Sequence, residues 1–356
     1  MRYKVDASLP EPLYMQLYGA IKEDIASGIL RPGEKLYSKR TLAAEAGVSV
    51  ITVEHTYSLL CDEGYIVSKE KSGFYVASDD GAIPSRGSYV PHVGRAHDGG
   101  RTDFPISSFK RHMRAVISDY GDELLERAPN NGCVELRRAI SDYLLRFRGI
   151  SVSPERIVIG SGSEYLYSLL IQLFGKGATF AVEDPCYRKI EQVYTANGVR
   201  FVRLPLGGDG IVPRALSQCR ADVLHITPYH SFPSGVTASP AKRASYVKWA
   251  SSNGSFIIED DYESEFSTLS KPVDTILSLD TEGRVIYINT FSKTLAPSIR
   301  IGYMVIPPSL MREYESRLGF YSCTVPVFDQ LVLASFIDSG EFERHINKVR
   351  RKLRSK

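Results

Sequence analysis

The sequence predicts two folded units, a small unit of helices with a β-hairpin and a larger α/β unit with a mostly parallel sheet. Residues 1–77 contain three helical patterns followed by two short β runs. Residues 78–103 are rich in Gly, Ser, Asp and Pro, which is typical of a linker. From residue 104 to residue 356, helical stretches alternate with β-branched runs, the pattern of a layered α/β domain.

Composition narrows the class of protein. The 356 residues, 43% hydrophobic and 24% charged, are typical of a soluble globular chain that is too long for one ordinary domain. No apolar run approaches the roughly 20 residues that span a bilayer, and the N-terminus lacks the apolar core of a signal peptide. The five cysteines are scattered, with no CxxC pair. We therefore expect reduced thiols in a cytoplasmic protein, no membrane association and no metal site.

The small unit begins with an amphipathic helix. In PLYMQLYGAIKEDIASGIL, apolar side chains recur every four residues at Leu13, Leu17, Ile21 and Ile25, and Gly28 marks the end. This spacing predicts one apolar face turned toward a core.

Two more helices and a hairpin follow. SKRTLAAEAG offers Ser38 as an N-cap, VSVITVEHTYSLLCDEGY offers Ser49, and YIVSKEKSGFYVA gives two β runs around Lys69–Gly73. This order predicts a winged helix-turn-helix, whose third helix enters the major groove of double-stranded DNA. The unit is not basic overall, so a solvated surface with scattered charge is the alternative. Cations near the second helix and in the hairpin favour phosphate contacts.

The segment from Leu13 to Ala77 resembles the GntR family of bacterial repressors. The match lies in SGILRPGEKLYSKRTLAAEAGVSVITVEHTYSLLCDEGY and in the SG of the hairpin tip. Two positions depart from the family pattern, Val50 in place of an arginine and Tyr37 in place of a proline. Loss of the arginine removes a strong groove contact. The resemblance and the placement of the cations give these candidate DNA-binding residues: Ser38, Lys39, Arg40, Ser49, Thr52, Lys71 and Gly73.

The larger unit contains a series of predicted strands. They are RIVIG (156–160), ATFAVED (178–184), VRFVRL (199–204), ADVLHIT (221–227), GSFIIED (254–260), RVIYINT (284–290) and IGYMVIP (301–307). In sheets of this kind the ligand site lies beyond the carboxyl ends of the strands. Candidate functional residues are therefore sought in the segments that follow each run.

Four of these segments carry suitable chemistry. Ser161, Gly162 and Ser163 open a helix and can bind an anion such as phosphate, although an ordinary helix start gives the same pattern. The acids and tyrosine of EDDYESEF can pair with a protonated ring nitrogen and a phenolate oxygen. An acidic loop or a divalent metal site is the alternative there. Tyr187 ends EDPCY and can stack on a planar ligand, and His230 lies in the turn of YHSFPSG.

TFSKTLAPSIRIGY adds a lysine and an arginine. Lys293 can form an imine with an aldehyde when it is partly desolvated, and Arg300 can hold a phosphate with its planar fork. As a single residue, Lys293 would be read as a surface lysine. Taken with the anion site, the acids and the tyrosines, it indicates a site for pyridoxal 5'-phosphate.

This half resembles the fold-type I aminotransferases, and specifically the aminotransferase-like domain of the MocR subgroup of GntR regulators. ITPYHSFPSGVT, FIIEDDYESEF and TFSKTLAPSIRIGYMVIP carry the match. The resemblance implies that Lys293 is the Schiff-base lysine and that Asp260, with Asp261 as the alternative, pairs with the pyridine nitrogen. It also implies that Tyr262 contacts the cofactor hydroxyl and Tyr187 stacks on the ring. The implied cofactor-binding set is Ser161, Gly162, Ser163, Tyr187, His230, Asp260, Tyr262, Thr290, Ser292, Lys293 and Arg300.

The combined prediction is a transcription regulator whose second domain holds pyridoxal phosphate as an internal aldimine and senses an amino compound or the cofactor itself. An aminotransferase with an appended DNA-binding domain is the alternative, and a regulator that has lost its cofactor is a third hypothesis. The resemblance implies a homodimer. It also implies a further C-terminal subdomain that would supply an arginine for a substrate carboxylate, whereas this chain ends within FERHINKVRRKLRSK, the helix expected to lead into it. An incomplete substrate site favours the regulator.

Overall fold

The computed structural model describes residues 3, 5–6, 8–9, 11–69, 72–77, 104–267 and 274–355. The chain divides into two compact units, Met1–His97 and Asp98–Lys356. The predicted linker, residues 78–103, lies outside the described residues, as does Lys71.

The first unit is a winged helix-turn-helix, as predicted. Ser38 and Ser49 cap the second and third helices, each accepting a hydrogen bond at 3.1 Å from a backbone N–H three residues on. Val53, Tyr57 and Leu60 form the buried face of the third helix. The elements are α1 Leu13–Ala26, α2 Lys39–Ala46, α3 Val50–Asp62, β1 Ile66–Lys69 and β2 Gly73–Val76, with β1 and β2 antiparallel.

The second unit is built around a sheet that has eight strands among the described residues. Their spatial order is β3-β10-β9-β8-β7-β4-β5-β6. The run from β9 to β5 is parallel, which confirms the predicted mostly parallel sheet. The strands are β3 Ile157–Gly160, β4 Thr179–Asp184, β5 Arg200–Gly207, β6 Gly210–Ile211, β7 Val223–Ile226, β8 Phe256–Asp260, β9 Val285–Thr290 and β10 Gly302–Val305.

Helices surround this sheet. They are α4 Ile106–Tyr120, α5 Val134–Arg148, α6 Ser163–Phe174, α7 Arg188–Ala196, α8 Pro213–Gln218, α9 Pro240–Asn253, α10 Ile276–Leu279, α11 Phe291–Thr294, α12 Pro308–Leu318, α13 Val327–Asp338 and α14 Glu341–Arg354. Short 3-10 helices span Gly121–Leu125, Pro154–Arg156 and Ser264–Phe266.

The sheet is buried on both faces. Along β3, Ile157 and Ile159 belong to one apolar core cluster, while Val158 belongs to another. Alternate residues of a strand point to opposite faces, so the two clusters cover the two sides of the sheet. Continuous apolar strands are the expected consequence, and they are what made these runs recognisable in the sequence.

Candidate functional site

The carboxyl ends of neighbouring parallel strands open into a cavity of about 270 Å³. Strands β8 and β9 end at Asp260 and Thr290, and β7 leads into Thr227. Parallel strands that end at one edge bring sequence-distant side chains together there. The cavity is lined by Ser163, Glu164, Tyr167, Tyr187, Lys189, Thr227, Phe232, Asp260, Tyr262, Thr290, Ser292, Lys293 and Arg300.

Asp260 is buried and is held through one oxygen. Its Oδ2 accepts a hydrogen bond from the Tyr167 hydroxyl, and His225 Nε2 lies 3.9 Å from the same oxygen. Burial, with Asp260 nearby, raises the pKa of Tyr167 well above its usual range, so the hydroxyl stays protonated as a donor. Among the described residues, Asp260 Oδ1 is buried and has no hydrogen-bond partner. Buried polar atoms nearly always have a hydrogen-bond partner, so this oxygen is available to a donor on a bound ligand.

Asp261, the alternative carboxylate, does not line this cavity. It accepts hydrogen bonds from Arg148 at 3.1 Å and from the Tyr287 hydroxyl at 2.8 Å. All three side chains are buried in the domain. Asp261 therefore forms part of a structural network, and the geometry separates the roles of the two adjacent acids.

Lys293 reaches the cavity from the four-residue helix α11, directly after β9. Its Nζ lies 5.8 Å from the centroid of the Tyr262 ring. Lys293 is exposed, so it is less desolvated than the chemistry of imine formation favours. Tyr262 donates a hydrogen bond to the His230 carbonyl at 3.0 Å, which fixes the ring beside the lysine.

The start of α6 forms an anion site beside Arg300. Gly162 caps the helix with φ +97°, and a Cβ at this position would lie 2.7 Å from Arg300 Nη2. The first N–H groups of a helix have no intrahelical partner and attract anions. Ser163 lines the cavity, whereas Ser161 does not, and the backbone N–H of Ser161 donates to Thr324 Oγ1 at 3.1 Å.

A carboxylate shares this anion site. Glu164 Oε2 lies 2.7 Å from Arg300 Nη2, and Glu164 Oε1 accepts a hydrogen bond from Lys189. The hydrogen bond from Lys189, followed by that from Arg300, lowers the pKa of Glu164. The cavity therefore contains one anion and two cations next to the N-terminus of α6.

The turn after β7 contributes Phe232 to the cavity and not the predicted His230. His230 does not line the cavity. It is exposed, has φ +53°, and its Nδ1 lies 3.5 Å from Glu263. Ser231 is buried and donates to Glu183 at 2.7 Å, and burial raises the pKa of that carboxyl to about 7. Phe232 is the cavity-lining residue of this turn, 6.2 Å from the Tyr187 ring.

Eight of the eleven predicted cofactor-binding residues line the cavity, and five lining residues were not predicted. Three of those five have a sequence signal that could have found them. Tyr167 follows Ser163 by four residues on the same helix face, Glu164 is the next residue of the α6 start, and Lys189 follows Tyr187 by two. Thr227 precedes the predicted turn and Phe232 lies within it, and neither has a distinct signal.

The predicted DNA-binding residues lie around the second and third helices and the hairpin. Ser38 and Ser49 act as helix caps, and the Thr52 hydroxyl bonds to Ser49 at 2.9 Å. Lys39 is held by Glu54 at 2.5 Å, while Arg40 is exposed. Gly73 opens β2 with φ +115°, which favours glycine.

Two further features concern membrane association and metal binding within the described ranges. None of the helices there is long and apolar enough to cross a membrane. The same residues include no cluster of three His, Cys, Asp or Glu side chains that could hold a metal ion.

Comparison with known proteins follows the division into two units. The model for bacterial regulatory proteins of the gntR family matches residues 13–76, and that for aminotransferase class I and II matches residues 100–356. A crystal structure of Pyrococcus horikoshii kynurenine aminotransferase superposes with a TM-score of 0.63 at 30% identity, covering 70% of this chain. This chain spans 64% of that enzyme, less than two thirds of its length.

Two curated relatives share both units. The uncharacterized HTH-type transcriptional regulator YdeL of Bacillus subtilis is 37% identical over 99% of this chain and 79% of its own length. The probable rhizopine catabolism regulatory protein MocR of Rhizobium meliloti is 30% identical over 98% of this chain and 76% of its own length. The chain therefore belongs to the MocR-type regulators, in which a GntR helix-turn-helix domain is fused to an aminotransferase class I and II domain.

Proposed function

We propose that this transcription regulator binds pyridoxal 5'-phosphate in the cavity, holds it covalently at Lys293, and senses an amino compound or the cofactor itself. Occupancy would change the population of molecules competent to bind operator DNA, because a ligand shifts any equilibrium between states that it binds unequally. The observation that carries the proposal is the buried, unpartnered Asp260 Oδ1 at the edge of the sheet, in the same cavity as Lys293.

The residues present fit this cofactor. A protonated pyridine nitrogen is the donor that Asp260 Oδ1 lacks, and Tyr167 orients the carboxylate through its other oxygen. A single unsatisfied buried acceptor costs about 1–3 kcal/mol, so this oxygen favours a ligand that supplies a donor. The close approach of Gly162 to Arg300 supports a phosphate site at the N-terminus of α6.

Each side chain then has a defined task. Ser163 and Arg300 would hold the phosphate, Tyr187 would form the wall against the ring, and Tyr262 would orient the ligand beside Lys293. Lys293 would supply the amine. When bound, the cofactor supplies an aldehyde carbon that bonds to amines and a ring that withdraws electrons. An incoming amino compound would compete with Lys293 for the same carbon, which makes the site responsive to such compounds.

The DNA partner follows from the first domain. GntR-type regulators bind operator DNA, and exposed Arg40 in the first turn of α2 supports phosphate contacts by this chain. The homodimer and the cytoplasmic location stay predictions from the family resemblance and from composition.

Two measurements on the same samples test this proposal. Purified protein is titrated with pyridoxal phosphate while the visible absorbance of the bound cofactor is followed. Binding of a fluorescent operator duplex is measured in parallel. We expect a saturable band in the wild type and in Lys248→Ala, a control that removes an exposed lysine outside this cavity. Lys293→Ala should lose the band. A band in Lys293→Ala as strong as that of the wild type would contradict the proposal. An operator affinity that changes neither with the cofactor nor with amines would also contradict it.

A further inference from the structure

The first turn of α3 presents two apolar side chains to solvent. Val50 is 42% exposed and Ile51 is 66% exposed. The core of this domain takes the opposite face of the helix, where Val53 and Tyr57 are buried. Both exposed side chains therefore lie outside the apolar core of this unit. Together they form a small exposed apolar patch, whose meaning depends on what this part of the helix meets.

Their position in the motif identifies what they can meet. In a helix-turn-helix, the N-terminal residues of the second helix of the motif contact base edges in the major groove. That helix is α3 here, and Val50 and Ile51 are its first two residues. Exposed Arg40, at the start of the preceding helix, supplies a cation for the flanking phosphate backbone.

The chemistry of α3 selects among the bases. Residues 49–58 contain no lysine or arginine, so this segment has no cationic donor for guanine O6 and N7. Glu54 lies on the same outer face as Ile51 and accepts a hydrogen bond from the Lys39 ammonium at 2.5 Å. That contact lowers the pKa of the Glu54 carboxyl. The hydroxyls of Ser49 and Thr52 at the tip of the helix bond to each other at 2.9 Å, and the exposed side chains of Val50 and Ile51 are the apolar groups there. In the major groove the apolar feature of a base pair is the thymine C5-methyl.

We propose that Val50 and Ile51 recognise thymine C5-methyl groups in the operator, in place of guanine recognition by an arginine. The inference rests on the proposed function to the extent that this chain binds DNA, and it is independent of the cofactor. Burying one methyl group between apolar partners corresponds to about a fourfold change in affinity. Each thymine whose methyl group is contacted should therefore contribute about fourfold to the affinity. Thymine methyl groups elsewhere in the duplex should contribute nothing.

The test uses the full chain and duplexes recovered from a randomised library by repeated selection. One recovered duplex is resynthesised with deoxyuridine replacing single thymines, which removes only the C5-methyl. We expect about fourfold weaker binding at one or two positions in each half-site and no change elsewhere. Val50→Ala and Ile51→Ala should each lose part of this discrimination.

Two variants of matched exposure serve as controls. Val67→Ala truncates a valine that is also 42% exposed, on β1, and Ile29→Ala truncates an isoleucine that is 60% exposed, after α1. Both should keep the full preference for thymine over uracil, and circular dichroism should show that every variant is folded.

Three results would overturn the inference. They are equal binding of the thymine and uracil duplexes by the wild type, full discrimination by both Val50→Ala and Ile51→Ala, and selected half-sites that contain no thymine. The absence of any salt-sensitive, sequence-dependent binding would also overturn it, and would remove the DNA-binding part of the proposed function as well. The first three results leave that function intact.

Discussion

Replacing Glu164 with glutamine is expected to tighten pyridoxal phosphate binding, because the carboxylate competes with phosphate for the same cations. Glu164 Oε2 lies 2.7 Å from Arg300 Nη2, and its other oxygen accepts from Lys189. A phosphate at the start of α6 would need Arg300 and would meet a like charge beside it. Glutamine keeps the length of the side chain and removes the charge.

The magnitude follows from the two ion pairs. Arg300 and Lys189 are each about half exposed, and Glu164 is about one third exposed. Solvent screening therefore limits each pair to about 0.5–1 kcal/mol. Loss of both pairs on cofactor binding costs about 1–2 kcal/mol, which corresponds to roughly a 5- to 30-fold change in affinity. Since Lys189 and Arg300 lower the pKa of Glu164, its charge and this difference should persist across neutral pH.

The assay is the absorbance titration with pyridoxal phosphate, applied to wild type, Glu164→Gln and the control Glu191→Gln. Glu191 carries the same charge and forms an ion pair with Arg203 at 2.6 Å outside the cavity. We expect tighter binding by Glu164→Gln alone. Equal or weaker binding by that variant would refute the competition and would mean that Glu164 serves to orient Arg300.

Three further predictions concern stability, the anion site and DNA. Burial raises the pKa of Glu183 from 4.5 to about 7. The folded protein therefore binds the carboxyl proton more tightly than the unfolded chain does, which contributes on the order of 3 kcal/mol to stability. This contribution is complete below about pH 4.5 and is lost as the pH rises through 7. Urea unfolding across this range should show a flatter pH dependence in Glu183→Gln; an unchanged profile would contradict the assignment. Gly162→Ala places a Cβ 2.7 Å from Arg300 Nη2 at φ +97°. The guanidinium of Arg300 is the flexible end of its side chain and can shift, so the strained backbone at position 162 accounts for the expected loss of about 1–3 kcal/mol of stability. The displaced Arg300 should weaken cofactor binding about tenfold, and wild-type affinity with an unchanged Tm would contradict both effects. Arg40→Ala should reduce the slope of log affinity against log salt by about 1, and an unaltered slope would remove Arg40 from the phosphate contacts.

The polar residues at the ends of the strands could be predicted from the sequence, because a parallel sheet brings the carboxyl ends of its strands to one edge. The apolar runs that end at Asp260 and Thr290 are buried on both faces, so their residues are almost entirely hydrophobic and easily recognised. The polar residues that follow such strands then have to meet at one edge. The two-residue strand Gly210–Ile211 was missed because a pattern of two residues carries no period.

Side chains contributed by helix faces and turns were harder to predict. Tyr167 reaches Asp260 from the second turn of α6, and Lys189 reaches Glu164 from the start of α7. Their positions depend on how helices pack on the sheet, which periodicity alone does not specify. His230 shows the reverse case, since it lies in the expected turn but is exposed outside the cavity.

The most direct test of the central claim is to locate the cofactor on the chain. Protein incubated with pyridoxal phosphate is reduced with borohydride, which makes an imine bond permanent, then digested and examined by peptide mass spectrometry. We expect one phosphopyridoxyl adduct, on Lys293. At low cofactor concentration this adduct should disappear in Asp260→Asn, because that variant lacks the carboxylate that pairs with the ring nitrogen. An adduct spread over surface lysines, or unmodified Lys293 at saturating cofactor, would contradict it.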